Sequence, residues 1–133
     1  MNREAFFTLH ADLPREGPGD GASLAWATRL AGVTPGARIL DAGCGPGADI
    51  AALLAAAPRS RVVAVDKHLP FVHAVNDSWG HDVRVTARHA NMADEEGPFD
   101  FIWCAGALYF LGIEEGLRTL RGKLAPGAAL AFS

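Results

Sequence analysis

The sequence predicts an α/β domain built on a parallel sheet with right-handed crossover helices. Three observations carry that prediction. Strand-like apolar runs alternate with stretches of helical periodicity along most of the chain. One run, Val62-Val63-Ala64-Val65, is continuously apolar, which suits a strand buried on both faces. A strand ending in Asp41 leads through a glycine-rich turn, Gly43-Cys44-Gly45-Pro46-Gly47, into a helix. In open α/β sheets the carboxyl ends of the strands form the ligand crevice.

Residues 14–21, rich in proline and glycine, read as a loop. Asp20 can cap a helix running to about Leu30, with Leu24, Ala27 and Ala31 on one face and Gly32 as its stop. Thr34-Pro35-Gly36 is a turn. A strand follows over about Arg38 to Asp41. Beyond the glycine turn a helix spans about Ala48 to Ala57, with Ile50, Leu53, Leu54 and Ala57 on one face, and Pro58 ends it. Arg61 to Asp66 is the second strand. The next helix holds Phe71, Val72, Val75 and Trp79. Val83 to Ala87 is expected as the third strand and Phe99 to Cys104 as the fourth. Ile113, Leu117, Leu120 and Leu124 then mark a helix, on which Glu114 and Arg118 are spaced for an ion pair. Pro126-Gly127 is a turn, and Ala128 to Phe132 is a fifth strand.

The 133 residues suit one domain, residues 1–133. Half are hydrophobic and 20% are charged, a globular composition. Two cysteines, Cys44 and Cys104, exclude a disulfide-rich scaffold and a multi-cysteine zinc site. The net charge is −3 and the arginines are scattered, which is not the footprint of a nucleic-acid binder. No apolar run approaches the length of a membrane span, and the N-terminus has no apolar stretch long enough for a signal peptide. A cytoplasmic protein without membrane or nucleic-acid partners is expected. The apolar fifth strand would leave an open sheet edge, which can pair with another copy in a homo-oligomer, and it suggests a truncated chain.

The glycine turn lets the backbone approach a ligand closely, and the helix after it offers free N–H groups. Asp66, 23 residues after Gly43, is placed to accept hydrogen bonds from ribose hydroxyls. Together these features indicate a nucleoside-containing cofactor. The Gly-Lys-Ser/Thr of a phosphate cradle is absent, and Gly43-x-Gly45-x-Gly47 departs from the dinucleotide spacing. Asp49 at the helix start would oppose a pyrophosphate but tolerates a ligand with an amino group.

The string Ile39 to Gly47 closely resembles the first motif of the class I S-adenosylmethionine-dependent methyltransferases. Val62 to Asp66 resembles the family's ribose-binding strand, Ala90 to Asp94 its adenine-contacting segment, Phe99 to Leu108 its fourth strand and loop, and Leu120 to Gly127 the turn before its fifth strand. The resemblance covers about residues 24–133, in the family's order. It implies a Rossmann-like, doubly wound, mostly parallel sheet with helices on both faces. It also implies S-adenosyl-L-methionine as cofactor, S-adenosyl-L-homocysteine as product, and methyl transfer to a small-molecule substrate. The implied cofactor residues are Asp41, Ala42, Gly43, Cys44, Gly45 and Gly47 around the methionine end, and Asp66 and Lys67 at the ribose. Asn91 and Met92 would meet the adenine, and Cys104, Ala105 and Gly106 the sulfonium side. Many relatives carry Asp where Asn91 stands, but an amide oxygen still accepts. Residues 1–21 resemble the N-terminal lid of small-molecule methyltransferases, with Arg15 able to pair with a carboxylate.

The family usually has seven strands and this chain supplies five, so strands 6 and 7 are expected to be missing. A general base for the acceptor would be His10 or Tyr109. His68, His73, His81 and His89 have no metal-ligand spacing, so no metal is expected. Cys44 and Cys104 read as packing residues, and Trp26, Trp79 and Trp103 as core. Two alternatives remain: a non-catalytic methyltransferase-like module binding cofactor or partner, and an NAD-dependent oxidoreductase, which the glycine spacing disfavours.

Overall fold

The structure, a computed structural model, describes residues 20–133. It opens with helix α1 (Gly21–Ala31). Asp20 stands in extended conformation before it, and its carboxylate accepts the Ser23 N–H at 2.7 Å, a side-chain N-cap. Gly32 closes the helix in the left-handed conformation that glycine adopts readily. Then come β1 (Arg38–Ala42), α2 (Ile50–Ala56), β2 (Arg61–Asp66), α3 (Leu69–Trp79) and β3 (Val85–His89). A 3-10 turn over Met92–Asp94 precedes β4 (Phe99–Cys104). A second 3-10 turn (Leu108–Phe110), α4 (Ile113–Arg121) and β5 (Leu124–Phe132) complete the described chain.

The five strands form one sheet in the order β3-β2-β1-β4-β5, and every neighbouring pair is parallel. The chain winds outward from β1 to β3, returns to β4 beside β1, and winds outward again. A crevice therefore opens where the winding reverses, at the carboxyl ends of β1 and β4. Successive strand residues face opposite sides. Ile39, Val62, Ala64, Phe101 and Trp103 join Leu24 of α1, Leu53 of α2 and Val75 of α3 in one core layer. Leu40, Val65, Phe99, Ile102 and Cys104 join Leu120 of α4 in the other. Helices thus cover both faces, and the expected doubly wound sheet is what the chain forms.

Four details differ from the sequence expectations. First, α2 is shorter than residues 48–57, because Gly47 to Asp49 belong to the turn, and Ala57 is extended, as a residue before proline must be. Second, β3 starts at Val85 rather than Val83, which is 87% exposed. Asp82 Oδ1 accepts the Arg84 N–H at 2.9 Å, so residues 82–84 are held in a turn before pairing begins. Third, Leu124 lies in β5 and not on α4. The helix ends at Arg121, and Leu124 pairs with Phe99 while packing against the same layer as Leu120. That shared burial is why its spacing mimics a further helical turn. Fourth, the strand pairing on β5 begins before Pro126-Gly127 and slips there, from Phe99↔Leu124 to Phe101↔Ala129. The expected turn is an irregularity within the strand.

Candidate functional site at the carboxyl ends of β1, β2 and β4

The parallel register brings three strand ends to one edge of the sheet. Asp41 is level with Ala64 and Trp103, and Ala42 with Val65. The glycine turn leaves β1 at this edge and is fastened to β2. Cys44 N–H donates to the Val65 carbonyl at 2.9 Å, and Gly45 N–H to Asp66 Oδ2 at 2.9 Å. Asp66 Oδ1 accepts the His68 N–H at 2.8 Å. One carboxylate therefore orients both the glycine turn and the chain after β2, and each of its oxygens retains acceptor capacity.

Gly43 has φ +68, and a Cβ added there would overlap the Cβ of Ala107 and lie 3.3 Å from Met92 Cε. No other residue type fits this approach of the first turn to the loops after β3 and β4. The far end of the turn is held by Trp103, whose indole Nε1–H donates to the buried carboxylate of Asp49 at 2.8 Å. Asp49 sits at the start of α2 but caps no helix N–H with its side chain.

The site is acidic and its thiols are neutral. Asp41 is only 2% exposed. Burial, and then the charges of Asp41 and Asp66, push the Cys44 thiol well above the ordinary value. Burial, with Asp41 next, pushes the Cys104 thiol up to about 12. Neither is a thiolate nucleophile near neutral pH, in keeping with their reading as packing residues. Among the described residues no group of three or more His, Cys, Asp or Glu side chains could hold a metal ion.

The segment after β3 lies beside this edge. Asn91 Oδ1 accepts the Ala93 N–H at 2.9 Å and so caps the 3-10 turn, while Met92 is buried against the loop after β4. Glu95, 5% exposed, is paired with Arg88 at 2.7 Å. Lys123 Nζ donates to the carbonyls of Ala93 and Glu95 at 2.8 and 2.7 Å.

Of the residues singled out in the sequence, Asp41, Ala42, Gly43, Cys44, Gly45 and Gly47 lie on β1 and its turn. Asp66 ends β2 and Lys67 follows it, Asn91 and Met92 follow β3, and Cys104 ends β4 with Ala105 and Gly106 after it. Gly106 N–H and the Cys104 carbonyl are bonded to Ser133 at the end of β5. Tyr109 is 53% exposed, with its ring 4.3 Å from that of Phe110, and Lys67 Nζ stands 5.7 Å from the Phe110 ring centre. Tyr109 is therefore not a core residue. His10 and Arg15 lie outside the described residues. Trp103 is core and Trp79 is partly buried, but Trp26 is 60% exposed. It borders an apolar cavity of about 790 Å³ between α1 and the end of β5, with Leu30, Leu130 and Phe132. The Asp49–Trp103, Arg88–Glu95 and Lys123 contacts escaped the sequence reading. Two of them join residues about thirty or more positions apart, and no local pattern marks them.

No helix among the described residues is long and apolar enough to cross a membrane. No curated protein matches the chain. Solved structures do. A methyltransferase from Thiobacillus denitrificans in complex with S-adenosyl-L-homocysteine is 21% identical, over 99% of this chain and 55% of that one, with a TM-score of 0.77. YjhP from E. coli is 22% identical over 96% and 54%, with a TM-score of 0.80. Coclaurine N-methyltransferase, bound to N-methylheliamine and S-adenosyl-L-homocysteine, is 22% identical over 84% and 34%, with a TM-score of 0.67. The chain thus spans about half the length of the first two and about a third of the third. These likenesses establish a shared Rossmann-like fold. The sequence itself matches the family model of a methyltransferase domain over residues 40–130, most of the chain and all of the site just described, and on that match the chain belongs to the class I methyltransferase domain family.

Proposed function

We propose that the chain is the cofactor-binding core of an S-adenosylmethionine-dependent methyltransferase acting on a small-molecule acceptor. The observation that carries this reading is the Asp66 carboxylate. It is oriented by Gly45 and His68 N–H groups at the rim of a glycine turn, where four loops of a methyltransferase-family domain converge. The donor set fits the cofactor. Asp41, Asp49 and Asp66 surround the turn, and no lysine or arginine occurs from residue 41 through 58. A pyrophosphate would meet carboxylates there, whereas a ligand bearing a sulfonium and an ammonium group meets complementary charge.

In this reading Asp41 and the backbone of Gly43 and Gly45 hold the methionine end, with Ala42, Cys44 and Gly47 shaping the turn. Asp66 accepts from the ribose hydroxyls, flanked by Lys67. Asn91 and Met92 meet the adenine edge, and Cys104, Ala105 and Gly106 line the side facing the sulfonium. Bound there, the cofactor supplies a methyl group on a sulfonium that is already a good leaving group. What the chain adds is alignment and a dry surround. Met92, Cys104, Ala107 and Leu108 are buried and uncharged, so they exclude water without offering a competing nucleophile. Arg15 is assigned to a carboxylate of cofactor or substrate, and His10 or Tyr109 to the general base. The small acceptor is supported by N-methylheliamine in coclaurine N-methyltransferase.

Calorimetric titration with S-adenosyl-L-homocysteine tests the reading, with Asp66→Ala as control. Micromolar binding that the variant loses is the expected result. A folded wild-type chain that binds nothing would overturn the reading.

A further inference from the structure

We infer that Lys123 is a positioning residue for base recognition: it fixes the loop of residues 91–95 so that Asn91 and Met92 present one acceptor and one donor to the adenine edge. The inference rests on the cofactor reading above. Lys123 stands between α4 and β5, about thirty residues along the chain from the loop that it holds. Its ammonium donates to the carbonyls of Ala93 and Glu95 at 2.8 and 2.7 Å. Ala93 lies within the Met92–Asp94 turn and Glu95 is its C-cap, and a cation there complements carbonyls that the short turn leaves without an internal partner.

A three-residue 3-10 turn has poor internal hydrogen-bond geometry and needs outside support. Here the support is distributed. Asn91 Oδ1 caps the start of the turn at the Ala93 N–H. The buried Glu95 carboxylate is held by Arg88. The Lys123 backbone takes part as well: its carbonyl accepts the Phe99 N–H at 2.8 Å, and a Cβ on Gly97 would overlap that carbonyl. Lys123 thus grips the loop through its side chain and its tail through its main chain. Met92, inside the gripped segment, comes close to the Gly43 turn, so displacement of the loop would reach the base side of the site before the ribose side.

Adenine offers a 6-amino donor beside an N1 acceptor, and hypoxanthine offers an O6 acceptor beside an N1–H donor. A fixed acceptor–donor pair at Asn91 Oδ1 and Met92 N–H favours the first and rejects the second. A loosened loop loses that discrimination while the Asp66 end is untouched.

The test compares S-adenosyl-L-homocysteine with S-inosyl-L-homocysteine by calorimetry, on the wild type, Lys123→Met and Lys123→Arg. In Lys123→Met the preference for the adenine compound is expected to fall about tenfold, the scale of one lost charge-assisted hydrogen bond. Lys123→Arg, which keeps the cation, should retain most of the preference. Amide exchange at Asp94 and Glu95 should quicken in Lys123→Met without ligand. If Lys123→Met does not fold, Lys123→Gln carries the same comparison. Equal weakening of both compounds, or an unchanged preference with a wild type that binds, overturns the inference alone. A wild type that binds neither compound overturns the cofactor reading and this inference with it.

Discussion

Replacing Gly43 by alanine tests how three of the four loops of the site are brought together. Two costs follow from the structure. The residue has φ +68, where a Cβ meets its own backbone at a cost of about 1–2 kcal/mol. The new methyl group would also overlap the Cβ of Ala107 and press on Met92 Cε, and overpacking of this kind costs about 1–3 kcal/mol. The sum, about 2–5 kcal/mol, is a large share of a domain's stability. Gly32→Ala isolates the first cost, because Gly32 is left-handed, with φ +66 and ψ +37, and has open space where its Cβ would lie. Ala107→Gly isolates the second, because it removes the atom that the new methyl group would strike. Urea unfolding of Gly43→Ala, Gly32→Ala, Ala107→Gly and the Gly43→Ala/Ala107→Gly double variant completes the cycle. Gly43→Ala should lose more than Gly32→Ala. The double variant should recover about 1–3 kcal/mol relative to additivity. Equal losses at Gly43 and Gly32, together with additive behaviour in the cycle, would refute the close approach of the first turn to the loop after β4.

The other predictions concern the supports of the same site. Trp103→Phe removes the indole donor from the buried Asp49 carboxylate and should cost about 1–3 kcal/mol; denaturant titration reads it, and a loss near zero would mean that the bond contributes nothing net. With its thiol pushed up to about 12, Cys104 should resist alkylation at pH 8 in the folded chain, since only about one thiol in ten thousand is ionised there. Mass spectrometry after iodoacetamide, native against urea-unfolded, checks this. The same shift has a stability consequence whose sign is fixed by linkage. The folded thiol holds its proton more tightly than the unfolded one, so the contribution is complete below pH 9 and is lost as pH rises toward 12. Cys104→Ala should flatten that part of the stability profile.

How much of this was legible in the sequence depends on whether the cause is local. Asp20 as a cap, Gly32 as a stop and the apolar run of β2 are read from neighbouring residues, and all three stand in the structure. The glycine turn with Asp66 was legible because its spacing is set by one strand–turn–helix–strand unit. The start of β3 was misplaced because the Asp82–Arg84 turn competes with strand pairing, and β-propensity at Val83 is blind to that. Leu124 was misassigned because burial against one core layer has the same signature whether the residue is helical or extended. Trp26 was read as core from its type alone, yet it is exposed beside the cavity between α1 and the end of β5. The Asp49–Trp103 bond and the Lys123 grip depend on side-chain directions across the sheet, which become definite only when the parallel register is known.

The two borders of the sheet are unlike. Along β3, Thr86, Arg88 and His89 are exposed, and such residues deter another strand from adding there. Along β5, Ala128 to Ala131 are half-buried and apolar, ending in Phe132. The two borders therefore differ in what they tolerate beside them, water at β3 and apolar protein surface at β5.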